Sequence, residues 1–169
     1  MSIDKLSAAV HYVIAKDSRS EIGKTKLNKI LWFADCAAWR KFGKTVTGLD
    51  AYAKLQYGPV PPNIDLALLK LQTEHRIKSN THYVGTYQRF GYLSLQAPNA
   101  DNLLSSDERA VLDDVLDAVS DMTAFDVSEL SHDALWEATP HGEMIPVQAA
   151  ASQFITPDER ILEWARKSG

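Results

Sequence analysis

Residues 24–42, KTKLNKILWFADCAAWRKF, decide how this chain folds. Leu27, Ile30, Leu31, Ala34 and Ala38 recur at the spacing of one helix face, and Trp32, Phe33, Trp39 and Phe42 widen that stripe. The helix is expected to begin at Lys24–Thr25 and to stop at Gly43, because glycine adopts the left-handed helix-ending conformation without steric cost. A helix apolar over so wide an arc is central and needs several neighbours to cover it. Cys36 falls mid-helix within this apolar segment and reads as a packing residue rather than a nucleophile.

Upstream, Ile3, Leu6, Val10, Val13 and Ile14 predict a helix over residues 2–17, with Ser2 at the N-cap position and a polar turn at Lys16–Ser18. Downstream the period changes. In residues 50–57, DAYAKLQY, Ala51, Ala53, Leu55 and Tyr57 share one side of an extended strand and Tyr52, Lys54 and Gln56 the other. Gly58-Pro59-Val60-Pro61-Pro62 is expected to break it, since prolines cannot donate to a ladder. Asn63 then caps a helix running to about Ile77, with Ile64, Leu68, Leu71 and His75 aligned. THYVGTY (81–87) and FGYLSLQ (90–96) predict a hairpin turning at Gln88–Arg89.

Ser105-Ser106-Asp107-Glu108 is a capping box in sequence. Its helix should bury Val111, Leu112, Val115, Leu116 and Val119 and expose Asp113, Asp114, Asp117 and Asp121. A short helix over Ala124–Ser131, an irregular Pro140–Pro146 stretch and a last helix from Thr156-Pro157-Asp158-Glu159 to Lys167 complete the chain. The expectation is one mostly helical α+β domain over residues 1–169 with a small antiparallel sheet or hairpin.

The 169 residues are 45% apolar and 24% charged with 8 Gly and 7 Pro, a globular composition. One cysteine excludes an intramolecular disulfide framework and a cysteine-built zinc site. No apolar run approaches the roughly 18 residues of a membrane span, and the N-terminus is amphipathic rather than signal-like, so a cytoplasmic protein is expected. The net charge of −4 divides unevenly: residues 1–90 carry +7 and residues 91–169 carry −11. The acidic half is rich in apolar residues, so the halves are expected to fold against each other.

Chemistry-bearing motifs are sparse. The histidines at 11, 75, 82, 132 and 141 form no HExxH, and His132, Asp133, Glu137 and His141 match no metal-ligand spacing. There is no GxSxG, and Gly23-Lys24-Thr25 lacks the upstream glycine of a phosphate loop. No catalytic residue, cofactor or metal is therefore expected. Lys24, Lys26, Lys29, Arg40, Lys41 and Lys44 with interleaved aromatics offer an alternative, a nucleic-acid-binding regulator using the basic half. The cations cluster at the two ends of the helix, however, and a pI of about 5.7 opposes phosphate reading.

Four segments carry a resemblance. Lys26–Asp35, KLNKILWFAD, is similar to the K-L-x-K-L-L-Y-F-A-D helix of the Panacea (SocA-like) domain, with Leu27, Asn28 and Leu31 as signature structural positions and Trp32 where tyrosine is commoner. Lys41–Gly48 resembles its K-x-G-x-x-I-T-G link, and Ala51–Pro61 its strand and Y-G-P-V-P turn. Leu130-Ser131-His132, Trp136, Gly142 and Ile145-Pro146 resemble its C-terminal segment, so the likeness spans about residues 24–147.

The resemblance implies a non-catalytic, phage-associated antitoxin that binds a cognate toxin protein. One branch of the family instead delivers its toxin to the ClpXP protease. Binding of this kind needs an interface of about 1,600 Å² dominated by a few aromatic or arginine anchors. The candidates in or near the matching segments are Trp39, Arg40, Tyr57, Val60 and Tyr87.

Overall fold

The computed structural model describes residues 3–17, 21–99, 102–132 and 134–152. Helix α1 (Ile3–Lys16) leads through the short strand β1 (Ile22–Gly23) into α2 (Lys24–Phe42). Then come β2 (Ala51–Leu55), β3 (Gly58–Val60), α3 (Ile64–Thr73), β4 (Ile77–Val84) and β5 (Tyr87–Ser94). Helices α4 (Ser106–Val119), α5 (Ala124–Leu130) and α6 (Ala134–Ala138), strand β6 (Met144–Pro146) and helix α7 (Val147–Ala151) follow. The expected α+β class holds. The expected final helix after Thr156, and Ser2 as a cap, lie outside the described residues.

Helix α2 is the axis of the fold, as its wide apolar arc requires. It packs against α1, α4, α5, α7 and β3, and Leu27, Ile30, Leu31, Phe33, Ala34 and Cys36 are all buried. Gly43 ends it at φ 70°, donating its N–H to the Trp39 carbonyl. The capping box of α4 is complete: Glu108 N–H donates to Ser105 Oγ at 3.1 Å, and Ser105 N–H to Glu108 Oε1 at 3.0 Å. The five apolar positions expected inside α4 are buried and its four aspartates exposed.

Two antiparallel three-stranded sheets flank the helices, ordered β1-β5-β4 and β3-β2-β6. Here four expectations are corrected. Gly58–Val60 does not simply break the strand: it folds back as β3, pairing Leu55 with Gly58 and Lys54 with Pro59. A proline is tolerated there because β3 is an edge strand. The 140–146 stretch likewise yields β6, which pairs Tyr52 with Ile145. Helix α3 stops at Thr73 instead of Ile77; His75 takes φ 58° and is exposed, while Ile77 opens β4 and is buried.

The fourth correction is the hairpin turn, which lies at Gly85–Thr86, with Val84 opposite Tyr87. Gly85 has φ 64°, and glycine at the first central position is what a tight two-residue hairpin loop favours. The Gln88–Arg89 pair is therefore strand, not turn. In β2, the buried side chain is Tyr52, while Leu55 and Tyr57 are exposed.

Candidate functional site

Three charged side chains of α2, Lys26, Lys29 and Asp35, are buried, and the last two each tie down a different connection. The Asp35 carboxylate is fully buried. Its Oδ1 accepts from the backbone N–H groups of Val46 (2.8 Å) and Thr47 (3.0 Å), and its Oδ2 from Thr47 Oγ1 (2.5 Å) and the Tyr52 hydroxyl (2.6 Å). One side chain thus fixes both the link after α2 and the first residues of β2. Burial raises the Asp35 carboxyl to about 6 against the pull of those four hydrogen bonds. Tyr52 also meets Trp32 edge-on, ring centroids 5.1 Å apart.

Lys29 is 1% exposed and donates from Nζ to the Pro59 carbonyl at 2.5 Å. Desolvation lowers its ammonium to about 7. Above it runs Gly58, φ 128°, where a Cβ would collide with the Lys29 side chain and come within 2.8 Å of Ser131 Oγ. Next to Ser131, the His132 ring stacks on Trp136 at 4.5 Å, and Lys54 Nζ lies 4.5 Å from the Trp136 ring while donating to its carbonyl at 2.5 Å. Segments far apart in sequence, KLNK, YGPVP and SH with Trp136, therefore meet at one locus. Its groups serve packing: Lys29 reaches a backbone carbonyl, and His132 is held below its ordinary pKa chiefly by burial. Gly58→Ala is expected to lose about 2 kcal/mol or more of stability, from the strained φ and the clash; a thermal melt within error of wild type would contradict this contact.

The five candidate anchors fall in three places. Trp39 is half-buried against the core and Arg40 exposed, both in the last turns of α2. Tyr57 is exposed in the β2–β3 turn and Val60 is half-buried at the end of β3. Tyr87 belongs to the other sheet, exposed on the β4–β5 hairpin. There it stands with Tyr83, Val84 and Phe90, which sequence reading missed; all four are large, apolar and exposed, and every residue from 81 to 90 is exposed. The signal was available, because an apolar strand pair with no covering element in the sequence must present its side chains to something else.

A cavity of about 600 Å³ runs along this hairpin, between Tyr87–Gly91 of β5 and Gly23–Lys26 at the start of α2, with Asp17, Glu21 and Thr123 completing its wall. Glu21 crosses Gly91, where any Cβ would strike it, and its carboxylate accepts from Asn80 Nδ2 at 3.1 Å and meets His82 Nε2. The hydrogen bond from Asn80 is the leading cause that holds the Glu21 carboxyl below its usual value.

The nucleic-acid alternative loses its footing at the same helix. Lys24 is ion-paired with Asp65, Lys26 is buried with Nζ 3.4 Å from the Ser120 carbonyl, and Lys29 is buried as described. Lys24, Lys26 and Lys29 do not make a phosphate-facing row. Among the described residues, no group of three or more His, Cys, Asp or Glu is placed to hold a metal ion, and no helix is long and apolar enough to cross a membrane.

A family model described as "Antitoxin SocA-like, Panacea domain" matches residues 27–137. That span holds Lys29, Asp35, the β2–β3 turn, the β4–β5 hairpin and Trp136 together. No curated protein and no solved structure matches the chain.

Proposed function

The chain belongs to the SocA-like Panacea antitoxin family, and we propose that it neutralises a cognate toxin protein in the cytoplasm by forming a stable complex with it, without catalysis. The observation that carries this reading is the family match over most of the chain. The exposed apolar side chains of the β4–β5 hairpin support it, because such residues on a protein surface mark interaction sites. Neutralisation asks only for binding free energy in excess of ordering costs, which a few buried aromatic anchors supply.

The test is co-expression with the product of each neighbouring reading frame. Rescue of a growth-arresting neighbour, with a stoichiometric complex on purification, is the expected result. Rescue accompanied by disappearance of the toxin only where ClpXP is present would replace neutralisation by delivery to the protease. No rescue for any neighbour would sink both.

Among the anchors, Tyr87→Ala is expected to cost roughly 2 kcal/mol of toxin binding with little change in melting temperature, since its side chain is exposed. Trp39→Ala should do the reverse, because its ring packs against the core. Calorimetric titration beside thermal melts separates the two.

A further inference from the structure

Strand β1 covers only part of the β5 edge. Its two residues pair with Tyr92 and Gly91, after which the chain turns into α2. Val84 and Tyr87 close a two-residue loop and so exchange both of their hydrogen bonds. Alternation along an antiparallel ladder then aims the peptide groups of Arg89 and Gly91 at β4, and those of Gln88 and Phe90 away from it. The Phe90 carbonyl oxygen, 3.9 Å from where a Cβ on Gly23 would sit, confirms that outward direction. Past Gly23, no strand among the described residues covers this edge.

That edge borders the cavity of about 600 Å³ beside the start of α2. A sheet edge left open is a template for another strand, and native proteins usually blunt such edges with charge, proline or cover. Here it is flanked by the exposed rings of Tyr87 and Phe90 instead. Arg89 lines the same cavity and is exposed, while Lys24 in its wall is held by Asp65 and Lys26 is buried with its Nζ at the Ser120 carbonyl. Of its two carboxylates, Glu21 is directed across the sheet to Asn80 and His82.

We propose that the β5 edge at Tyr87–Phe90 accepts an extended, acidic segment of the toxin as an added strand, continuing the sheet where β1 leaves it. Backbone hydrogen bonds to Gln88 and Phe90 hold the segment, the tyrosine and phenylalanine rings pack on its alternate side chains, and Arg89 takes a carboxylate of it. The proposal rests on the toxin-binding reading above.

The experiment uses the wild-type protein and the growth-arresting neighbour that it neutralises, alone and as the purified complex. Residue-resolved amide exchange should slow at Gln88 and Phe90 by about ten-fold or more on complex formation. Unchanged exchange at these two amides would overturn the strand addition. Gln88→Pro, which removes an outward N–H and spares the ladder to β4, should weaken the complex by about ten-fold or more, while Gln88→Ala stays within about three-fold of wild type. Equal affinities for the two would overturn it as well. If Gln88→Pro fails to fold, the wild-type exchange decides.

Arg89→Glu should weaken binding by about ten-fold; unchanged or tighter binding would reject an acidic segment. Neutralisation by wild type without these effects fails the strand proposal alone. Absence of neutralisation fails the toxin-binding reading and this inference with it.

Discussion

Asp35→Ala is expected to destabilise the protein by about 3–5 kcal/mol, enough to unfold a marginal domain at growth temperature. The carboxylate receives two backbone N–H groups and two hydroxyls, all in a site without solvent access. Alanine would leave both N–H donors buried without an acceptor and release the start of β2. Asp35→Asn keeps one carbonyl oxygen for the two N–H groups and can donate to the hydroxyl oxygens, so a smaller loss is expected. Denaturant melts of the two variants check the ranking, and an alanine variant as stable as wild type would remove Asp35 from this role.

The same site sets a pH dependence. Folding raises the Asp35 carboxyl from 3.8 to about 6, so the folded state binds more protons than the unfolded one between those values. The contribution is fully present below pH 3.8 and is lost as pH rises through 6. Asp35→Asn should flatten that part of the stability profile.

The second large effect has the opposite slope. Folding lowers the Lys29 ammonium from 10.5 to about 7. Its contribution is present above pH 10.5 and is lost as pH falls through 7, a swing of about 5 kcal/mol at most. Lys29→Met should therefore raise stability at neutral pH by about 1–4 kcal/mol, net of the hydrogen bond lost at the Pro59 carbonyl. The gain should disappear in alkaline buffer. Denaturant melts across that range test it, and a variant that is less stable at neutral pH as well as at high pH would refute it. The summed contribution of these two groups is smallest between about pH 6 and 7.

What could be read in the sequence was what short-range physics writes there. Helix α2 announces itself through its apolar arc and its terminal glycine, and α4 through Ser105 and Glu108. Strand β6 leaves no such trace, because Met144–Pro146 becomes strand only by meeting β2, some ninety residues earlier. Proline misled the reading of β3, since an edge position excuses the missing donor. The hairpin turn slipped because both faces of residues 81–90 are exposed, so no buried face fixed the register.

The site was legible to a lesser degree. Tyr87 stands among the candidate anchors read from the sequence, and its exposed neighbours Tyr83, Val84 and Phe90 do not. Lys29 and Asp35 look like ordinary polar positions on a helix, and only the folded chain shows that both are buried. The burial of Lys29, with that of Lys26, also explains why the start of α2 presents no basic row to solvent.

The β4–β5 ribbon also has a consequence for proteolysis. Residues 81–90 stand clear of the core, and Arg89 among them offers trypsin a cleavage site. A nick there should leave two fragments that stay together under native conditions. The remaining halves of the ribbon still pair from Ile77–Asn80 to Gly91–Ser94, α4 still lies on α2, and β6 still completes the sheet begun by β2. Bound toxin, seated along that edge, should shield the bond, so resistance to a single cut becomes a direct reading of occupancy.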